Sequence, residues 1–301
     1  MAPVTLAEDI RQRLGDCSPA ERKVGRVLLA GWPAAGFETV ATLAERADVS
    51  APTVIRFVNR LGYRGFPDFQ AALRTELDER QASPLTLYST GRYGGTGEGE
   101  GEGEDGGHPP QSGTAGLLAH GREVFTAAVD RTLAEVSPHE LERAVQLLAD
   151  PKRRITLVGG RFTHLLAQYL GLHLMQLRGD VRFLPDRPVE RTALLAALGR
   201  RDVLVVFDYR RYETDKTTLA ELVREAGGRV VLFTDAWLSP VSTQAEVVLS
   251  SQVGAPSPYD SLVPTLAVVE TVVAGLIAEM GERAHQHMKH SEATADRIGL
   301  T

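Results

Sequence analysis

The chain has 301 residues, with 33 Lys and Arg against 39 Asp and Glu and a formal net charge of -6. That balance excludes a protein that coats nucleic acid through bulk charge, but it leaves room for a local basic stripe. An apolar content of 43% and a charged content of 24% are those of a soluble globular protein of about two domains. The single cysteine, Cys17, excludes an intramolecular disulfide and fits a reducing compartment. No motif surrounds it, so it is read as inert.

The first ten residues carry Glu8 and Asp9 and lack a basic stretch followed by an apolar run, so no targeting signal is read and a cytoplasmic location is expected. Leu6, Ile10 and Leu14 mark one helix. Ser18-Pro19-Ala20-Glu21 opens another: Ser18 is the N-cap, Pro19 suits the first helical position and Glu21 completes a capping box. Val24, Val27 and Leu28 then line its inner face. Further helices are expected over residues 40–47, 51–61 and 67–77.

Residues 39–62, TVATLAERADVSAPTVIRFVNRLG, fit a helix-turn-helix. Leu43, Ala44 and Ala47 form the inner face of the first helix, with Ala44 small where the helices approach. Asp48 sits at the turn and tolerates a left-handed backbone better than most residues. Val49 plugs the turn, Ser50 caps the second helix, and Pro52 is acceptable in its first turn. Val54, Phe57, Val58 and Leu61 provide the buried face. The opposite face is expected to carry Ser50, Thr53, Arg56, Asn59 and Arg60, with Arg64 just beyond. The N-terminal part of such a helix reads base edges, so Thr53 and Arg56 are assigned to bases. Ser50, Asn59, Arg60 and Arg64 are assigned to phosphates. An ordinary three-helix unit with a solvated basic face is the competing reading.

Residues 89–116 are rich in Gly and Glu and nearly devoid of large apolar side chains. They are expected to form a flexible, self-repelling spacer. Beyond it, helices over 117–135 and 138–148 lead into strands at 154–158, 181–184, 203–207, 230–233 and 247–249, with helices such as 163–177 and 219–225 between most of them. This alternation implies an α/β domain with a doubly wound parallel sheet. The expected division is therefore an all-helical domain over 1–80, a linker over 81–116 and an α/β domain over 117–301.

Residues 262–277 are the most apolar stretch, but Pro264 and Glu270 interrupt it short of the roughly 18 apolar residues of a membrane span. A buried or interface helix is expected instead. Its apolar residues point in more than one direction, which suggests a homodimer or homotetramer with no membrane. Of the C-terminal histidines, only His287 and His290 share a helix face and no carboxylate or Cys cluster supports them. No metal site and no cofactor are expected, and the segment is read as a solvated tail.

The segment LAERADVSAPTVIRFVNRLGYRGFPDFQAAL, residues 43–73, resembles the N-terminal domain of RpiR-type transcription regulators. The match runs through Leu43, Ala44, Val49, Ser50, Thr53, Arg56, Phe57, Leu61, Gly62, Tyr63, Gly65 and Phe66. Ser18 to Lys23 also resembles that family's second helix start. The resemblance implies a DNA-binding regulator acting on a double-stranded operator.

The C-terminal half resembles the sugar isomerase (SIS) domain that follows in such regulators and commonly recognises phosphosugars. Ligands of parallel α/β sheets bind at the carboxyl ends of the strands. Here those ends are Gly159-Gly160-Arg161-Phe162-Thr163-His164 and Asp208-Tyr209-Arg210-Arg211-Tyr212-Glu213-Thr214. The resemblance implies loops of the form Gly-x-Gly-x-Ser and Ser-x-Ser-Gly-x-Thr holding a phosphate. This chain departs from both: Thr163 stands for the first Ser, Asp208 and Arg210 for the two serines of the second loop, and Arg211 for its Gly. The expectation is a small anionic effector held by Arg210 or Arg211, with Arg161, Thr163 and the Gly159-Gly160 backbone opposite. Three arginines against Asp208 would leave that site net positive.

Two alternatives stand beside it. In one, Asp208 and Arg210 pair structurally and Tyr209 and Tyr212 close a ligand-free dimerisation module. In the other, the chain is a sugar-phosphate isomerase with His164 or Glu270 as acid or base. The altered phosphate loops favour a regulator without enzymatic activity.

Overall fold

The structure, a computed structural model, describes residues 5–89 and 113–300. The chain divides into two compact units, one over Ala2–Ser89 and the other over Thr90–Thr301.

The first unit is all helical: α1 (Leu6–Arg13), α2 (Pro19–Ala30), α3 (Val40–Arg46), α4 (Ala51–Arg60), α5 (Phe66–Gln81) and α6 (Pro84–Ser89), with single 3₁₀ turns at Leu14–Asp16 and Ala34–Phe37. The capping box at α2 is present in full. The Glu21 amide donates to Ser18 Oγ at 3.3 Å, and the Ser18 amide donates to Glu21 Oε2 at 2.8 Å. Such a cap contributes about 1 kcal/mol.

Helices α3 and α4 stop by the same device, a left-handed residue that turns the next amide back on the helix. Asp48, at φ +50°, ends α3 and lets the Val49 amide reach Ala44 O at 2.9 Å. Gly62, at φ +101°, ends α4 and lets the Tyr63 amide reach Val58 O at 3.1 Å. Between these stops the buried arc of α4 (Val54, Phe57, Val58) packs with Leu43, Val24, Leu28 and Phe69. Burying side chains of this size stabilises by roughly 1.5–3 kcal/mol each. Gly25 of α2 lies under the Phe57 ring, where a Cβ would come within 3.1 Å of Phe57 Cζ. α4 is thus fixed against α2 and α3, and its remaining surface is displayed.

The second unit begins with α7 (Thr114–Glu135) and α8 (Pro138–Ala149). Then β1 (Arg154–Gly159), α9 (His164–Leu177), β2 (Val181–Phe183), α10 (Pro188–Ala196), β3 (Asp202–Phe207), α11 (Thr214–Glu225), β4 (Arg229–Asp235) and β5 (Val247–Ser251) alternate, and α12 (Val263–Met280) and α13 (Glu282–Arg297) close the chain. Helix α6 and the first turn of α7 fall inside the 81–116 interval assigned to a linker, which narrows it. The Gly-Glu run at 90–112 lies outside the described residues.

All strand pairs are parallel, in the order β2-β1-β3-β4-β5. Alternate strand residues divide between two cores, as the period of two requires. Ile155, Leu157, Val205, Phe207, Val231 and Phe233 face α8, α9 and α12. Leu204, Val206, Val230 and Leu232 face α11. Helix α12 is long and apolar enough to cross a membrane by length and composition. Here Val268, Val269, Val272, Val273 and Leu276 are buried in the core instead, and Val263 and Ile277 are left exposed. The histidine run is not a free tail. It lies in α13, where Ala284 is buried and His287 Nε2 sits 3.2 Å from Met175 O.

Chain direction along the sheet reverses between β1 and β3, and in open parallel sheets ligands bind beyond the strand ends at such a switch. The loops after β1 and β3 meet there. Gly159 makes the close approach possible, because a Cβ on it would lie 2.5 Å from the His164 amide nitrogen.

Candidate DNA-reading helix and ligand crevice

On α4 the exposed side chains are Ser50 at the N-cap, then Ala51, Pro52, Arg56, Asn59 and Arg60, with Arg64 exposed past the helix end. Thr53 departs from expectation. It is only 4% exposed, so it does not belong to the displayed face. Its Oγ1 accepts from Arg56 Nη2 at 3.0 Å and lies 3.0 Å from Ser50 Oγ. The Ser50 hydroxyl therefore faces the Thr53 side chain and makes no side-chain cap, although its backbone stands in the capping conformation. Arg60 is also engaged. Its Nε lies 3.3 Å from Glu21 Oε2 and its Nη1 donates to Asp16 O at 3.4 Å. Ala51 and Pro52, which the sequence reading did not single out, occupy the outer corner of the first turn beside Ser50. No acidic residue lies between Ser50 and Phe66.

At the sheet switch the two loops do come together. The Thr163 hydroxyl donates to Phe207 O at 2.9 Å and accepts from the Gly160 amide at 2.8 Å, so it staples the loops to each other. This buried oxygen serves the protein's own backbone. Across the crevice the Arg161 amide, in the turn that leads into α9, donates to Glu213 Oε1 at 3.3 Å. The other Glu213 oxygen accepts from Lys216 Nζ at 2.7 Å. Gly160 is backed so closely by this carboxylate that a Cβ would sit 3.1 Å from Glu213 Oε1. A carboxylate of the chain thus rests against the turn that opens α9, beside the place in the fold where backbone N–H groups and the helix dipole favour an anion.

The arginines are distributed otherwise than the sequence suggested. Asp208 and Arg210 do not pair. Asp208 is 2% exposed; its oxygens accept from the Ser239 hydroxyl and, at 3.3 Å, from the Glu213 amide. Burial raises its pKa above the ordinary carboxylate range. Arg210 donates from Nε to Asp260 Oδ2 at 2.7 Å, and its guanidinium lies over the Trp237 ring at 5.6 Å. Its backbone amide donates to Asp235, whose other oxygen accepts from Tyr212 OH at 2.7 Å. Burial pushes Asp235 up to about 6.

Arg211 is exposed, with φ +68°, and Arg161 is exposed across from it. Asp208, Glu213, Asp215, Asp235 and Asp260 therefore gather around Arg161, Arg210, Arg211 and Lys216. The expected net positive site is corrected to one with five carboxylates against four cations. The missing acids come from the end of β4 and the loop beyond β5, far away in sequence.

Tyr209 is buried, its OH 2.8 Å from Thr265 Oγ1 and 3.1 Å from Ser251 Oγ, so it is held within the core and not laid over the crevice. The two candidate isomerase residues are each engaged elsewhere. His164 Nδ1 sits 2.8 Å from Arg161 O, and Glu270 accepts from Tyr169 OH. No group of three or more metal-ligating side chains occurs among the described residues.

The pattern of the helix-turn-helix domain, rpiR family, matches residues 4–80, and that of the SIS domain matches residues 147–275. The HTH-type transcriptional regulator HexR of Pseudomonas aeruginosa is 27% identical over 291 residues, covering 94% of this chain and 93% of that protein. Among solved structures, the sugar isomerase domain of an RpiR transcription factor from Sphaerobacter thermophilus superposes with a TM-score of 0.54 at 23% identity, over 61% of this chain and 99% of that one. The NanR protein of Vibrio vulnificus, complexed with ManNAc-6P, superposes with a TM-score of 0.51 at 17% identity, over 98% of this chain and 99% of that one.

Proposed function

Because this chain belongs to the RpiR-type transcription regulators, with a helix-turn-helix domain followed by a SIS domain, we propose that α4 reads an operator in the major groove and that a small anionic metabolite at the β1/β3 crevice changes operator affinity. The observation that carries the DNA assignment is the exposed, acid-free surface of α4, with Arg56 near the middle of the helix over a fully packed support. Arg56 presents its guanidinium to a guanine, and Ala51 and Pro52 offer apolar contact to a thymine methyl. Ser50, Asn59 and Arg64 reach phosphates. Arg60 belongs mainly to the support, through Glu21.

The effector reading draws on the crevice at the switch point and on the phosphorylated sugar bound by the similar NanR protein. An entering phosphate or carboxylate would take the Arg161 amide and the Lys216 ammonium from Glu213, with Arg211 and the Arg161 side chain at the rim. On this reading the chain is a cytoplasmic regulator without enzymatic activity or cofactor, which its similarity to HTH-type transcriptional regulators supports. The Gly-Glu-rich segment joins the two units as a spacer. A second reading, a ligand-free regulator, is favoured by Glu213 itself, which already fills the anion seat.

The assembly is a homodimer or dimer of dimers of the SIS unit. Exposed Leu165 and Leu172 on α9 and Val263 and Ile277 on the neighbouring α12 give it an apolar surface to bury. Light scattering at micromolar concentration should return at least a dimer mass, and a monomer would sink this assembly. The functional reading is tested by selecting a binding site from a random DNA library with the full chain, then titrating that site with and without a panel of sugar phosphates. A selected, roughly palindromic site is expected, whose affinity shifts with at least one panel member. Failure to select any sequence would refute the DNA assignment.

A further inference from the structure

We propose that Thr53 is a specificity-determining residue that never touches DNA: it positions Arg56. The inference rests on the reading of Arg56 as a base-contacting side chain. At 4% exposure Thr53 has no surface to offer a base edge. Its hydroxyl is nonetheless directed at the displayed face, accepting from Arg56 Nη2 at 3.0 Å and meeting Ser50 Oγ at 3.0 Å. A hydroxyl has one proton and two lone pairs, and a guanidinium only donates. The Thr53 oxygen that accepts from Arg56 can therefore still donate to Ser50, which leaves the Ser50 proton available to a phosphate.

The energetic consequence lies in Arg56. A free arginine side chain gives up about 1.5–2 kcal/mol of rotamer freedom when it is fixed. Arg56 is tethered before DNA arrives, so part of that cost is met in the free protein. An arginine has five N–H donors, so anchoring one leaves enough for a two-pronged contact with guanine O6 and N7. Ser50, Thr53 and Arg56 follow each other at intervals of three residues, and the helix stacks them on one edge of α4. The edge begins at the phosphate backbone and ends at a base.

The test uses the full chain and the site that it selects from a random library. Thr53→Val keeps the shape and removes the hydroxyl; Thr53→Ser keeps the hydroxyl. Anisotropy titrations are run on the selected site and on sites with each base pair replaced, for both variants, for Arg56→Ala and for Thr53→Val in the Arg56→Ala background. Thermal melts verify that each variant is folded. Thr53→Val should lose roughly five- to tenfold in discrimination, at the same base pair whose identity Arg56→Ala ceases to read. Thr53→Ser should stay within about twofold of wild type. In the Arg56→Ala background, Thr53→Val should add no further loss, since a residue that acts through another is silent without it.

Additive losses in the double variant, or a Thr53→Val profile identical to wild type while Arg56→Ala is impaired, would overturn the positioning role and leave the reading of Arg56 intact. An Arg56→Ala variant that reads the site as well as wild type would overturn both.

Discussion

Arg56→Ala should lower affinity for the selected operator by about 1–3 kcal/mol, roughly 5- to 150-fold, with the loss concentrated at one base pair of each half-site. The size follows from what the side chain does in the free protein. It is exposed, it stands near the middle of α4 and it is already oriented by Thr53. Removing it takes away a bidentate contact, and no buried group is left unpaired, because the Thr53 hydroxyl retains Ser50. Stability should therefore change little while specificity falls.

Arg60→Ala provides the contrast. The Arg60 guanidinium faces Glu21, a nearly buried carboxylate whose pKa is held low first by the Ser18 amide and in part by Arg60. Deleting Arg60 removes a cation from that carboxylate at the start of α2. Its signature should be a lower melting temperature together with a sequence-independent loss of binding. Titrations on matched and mismatched sites, beside melts of both variants, separate the two. Equal loss on all sites for Arg56→Ala would refute its assignment to a base.

The helical half was largely legible in the sequence because its signals are local. Ser18 and Glu21 are three residues apart and cap as their spacing predicts. Asp48 adopts the left-handed backbone that the turn demands. Thr53 was misplaced for a physical reason. The buried arc of α4 includes Val54, Phe57 and Val58, and the position one turn before Phe57 lies at its border. A polar residue at a border looks exposed, and only packing decides how far the arc extends. The strands of the α/β half were equally plain, since buried parallel strands read as apolar runs.

The electrostatics of the crevice were not legible. Asp235 and Asp260 lie 25 and 50 residues after Arg210, and only the parallel register of β3 and β4 and the path of the chain beyond β5 bring them to it. Glu213 was visible as a loop residue, but nothing in the order of residues tells that its carboxylate folds back on α9. A count over the two loops that took Asp208 as the one acid therefore made the site net positive, whereas the fold assembles five carboxylates against four cations.

Glu213 carries the second large prediction. Glu213→Gln, and more strongly Glu213→Ala, should tighten the binding of sugar phosphates or inorganic phosphate by about tenfold. In the proposed mode the Arg161 amide and Lys216 Nζ would hold the anion, and both are taken by the Glu213 carboxylate. A carboxylate at a helix N-terminus is stabilised by about 0.3–2 kcal/mol. An external anion must first displace it, so the apparent affinity is reduced by the fraction of molecules in which the seat is open.

Glutamine keeps the shape and one acceptor oxygen but surrenders the charge, whereas alanine also vacates the space beside Gly160. Lys216 stays anchored by Asp215 in either variant, at 2.9 Å, so the ammonium remains where an anion can use it. Replacing it as well, in Glu213→Ala with Lys216→Met, should abolish the gain, because the seat then lacks its only buried cation among the described residues of the crevice. Calorimetry with a sugar-phosphate panel reads all four proteins. If neither Glu213 variant binds any member better than wild type does, the crevice is a closed structural joint and the chain regulates without a ligand at this place. If the variants bind and operator affinity follows occupancy, Glu213 sets the effector concentration at which the regulator responds, since a ligand shifts DNA binding only through its unequal affinity for the two states.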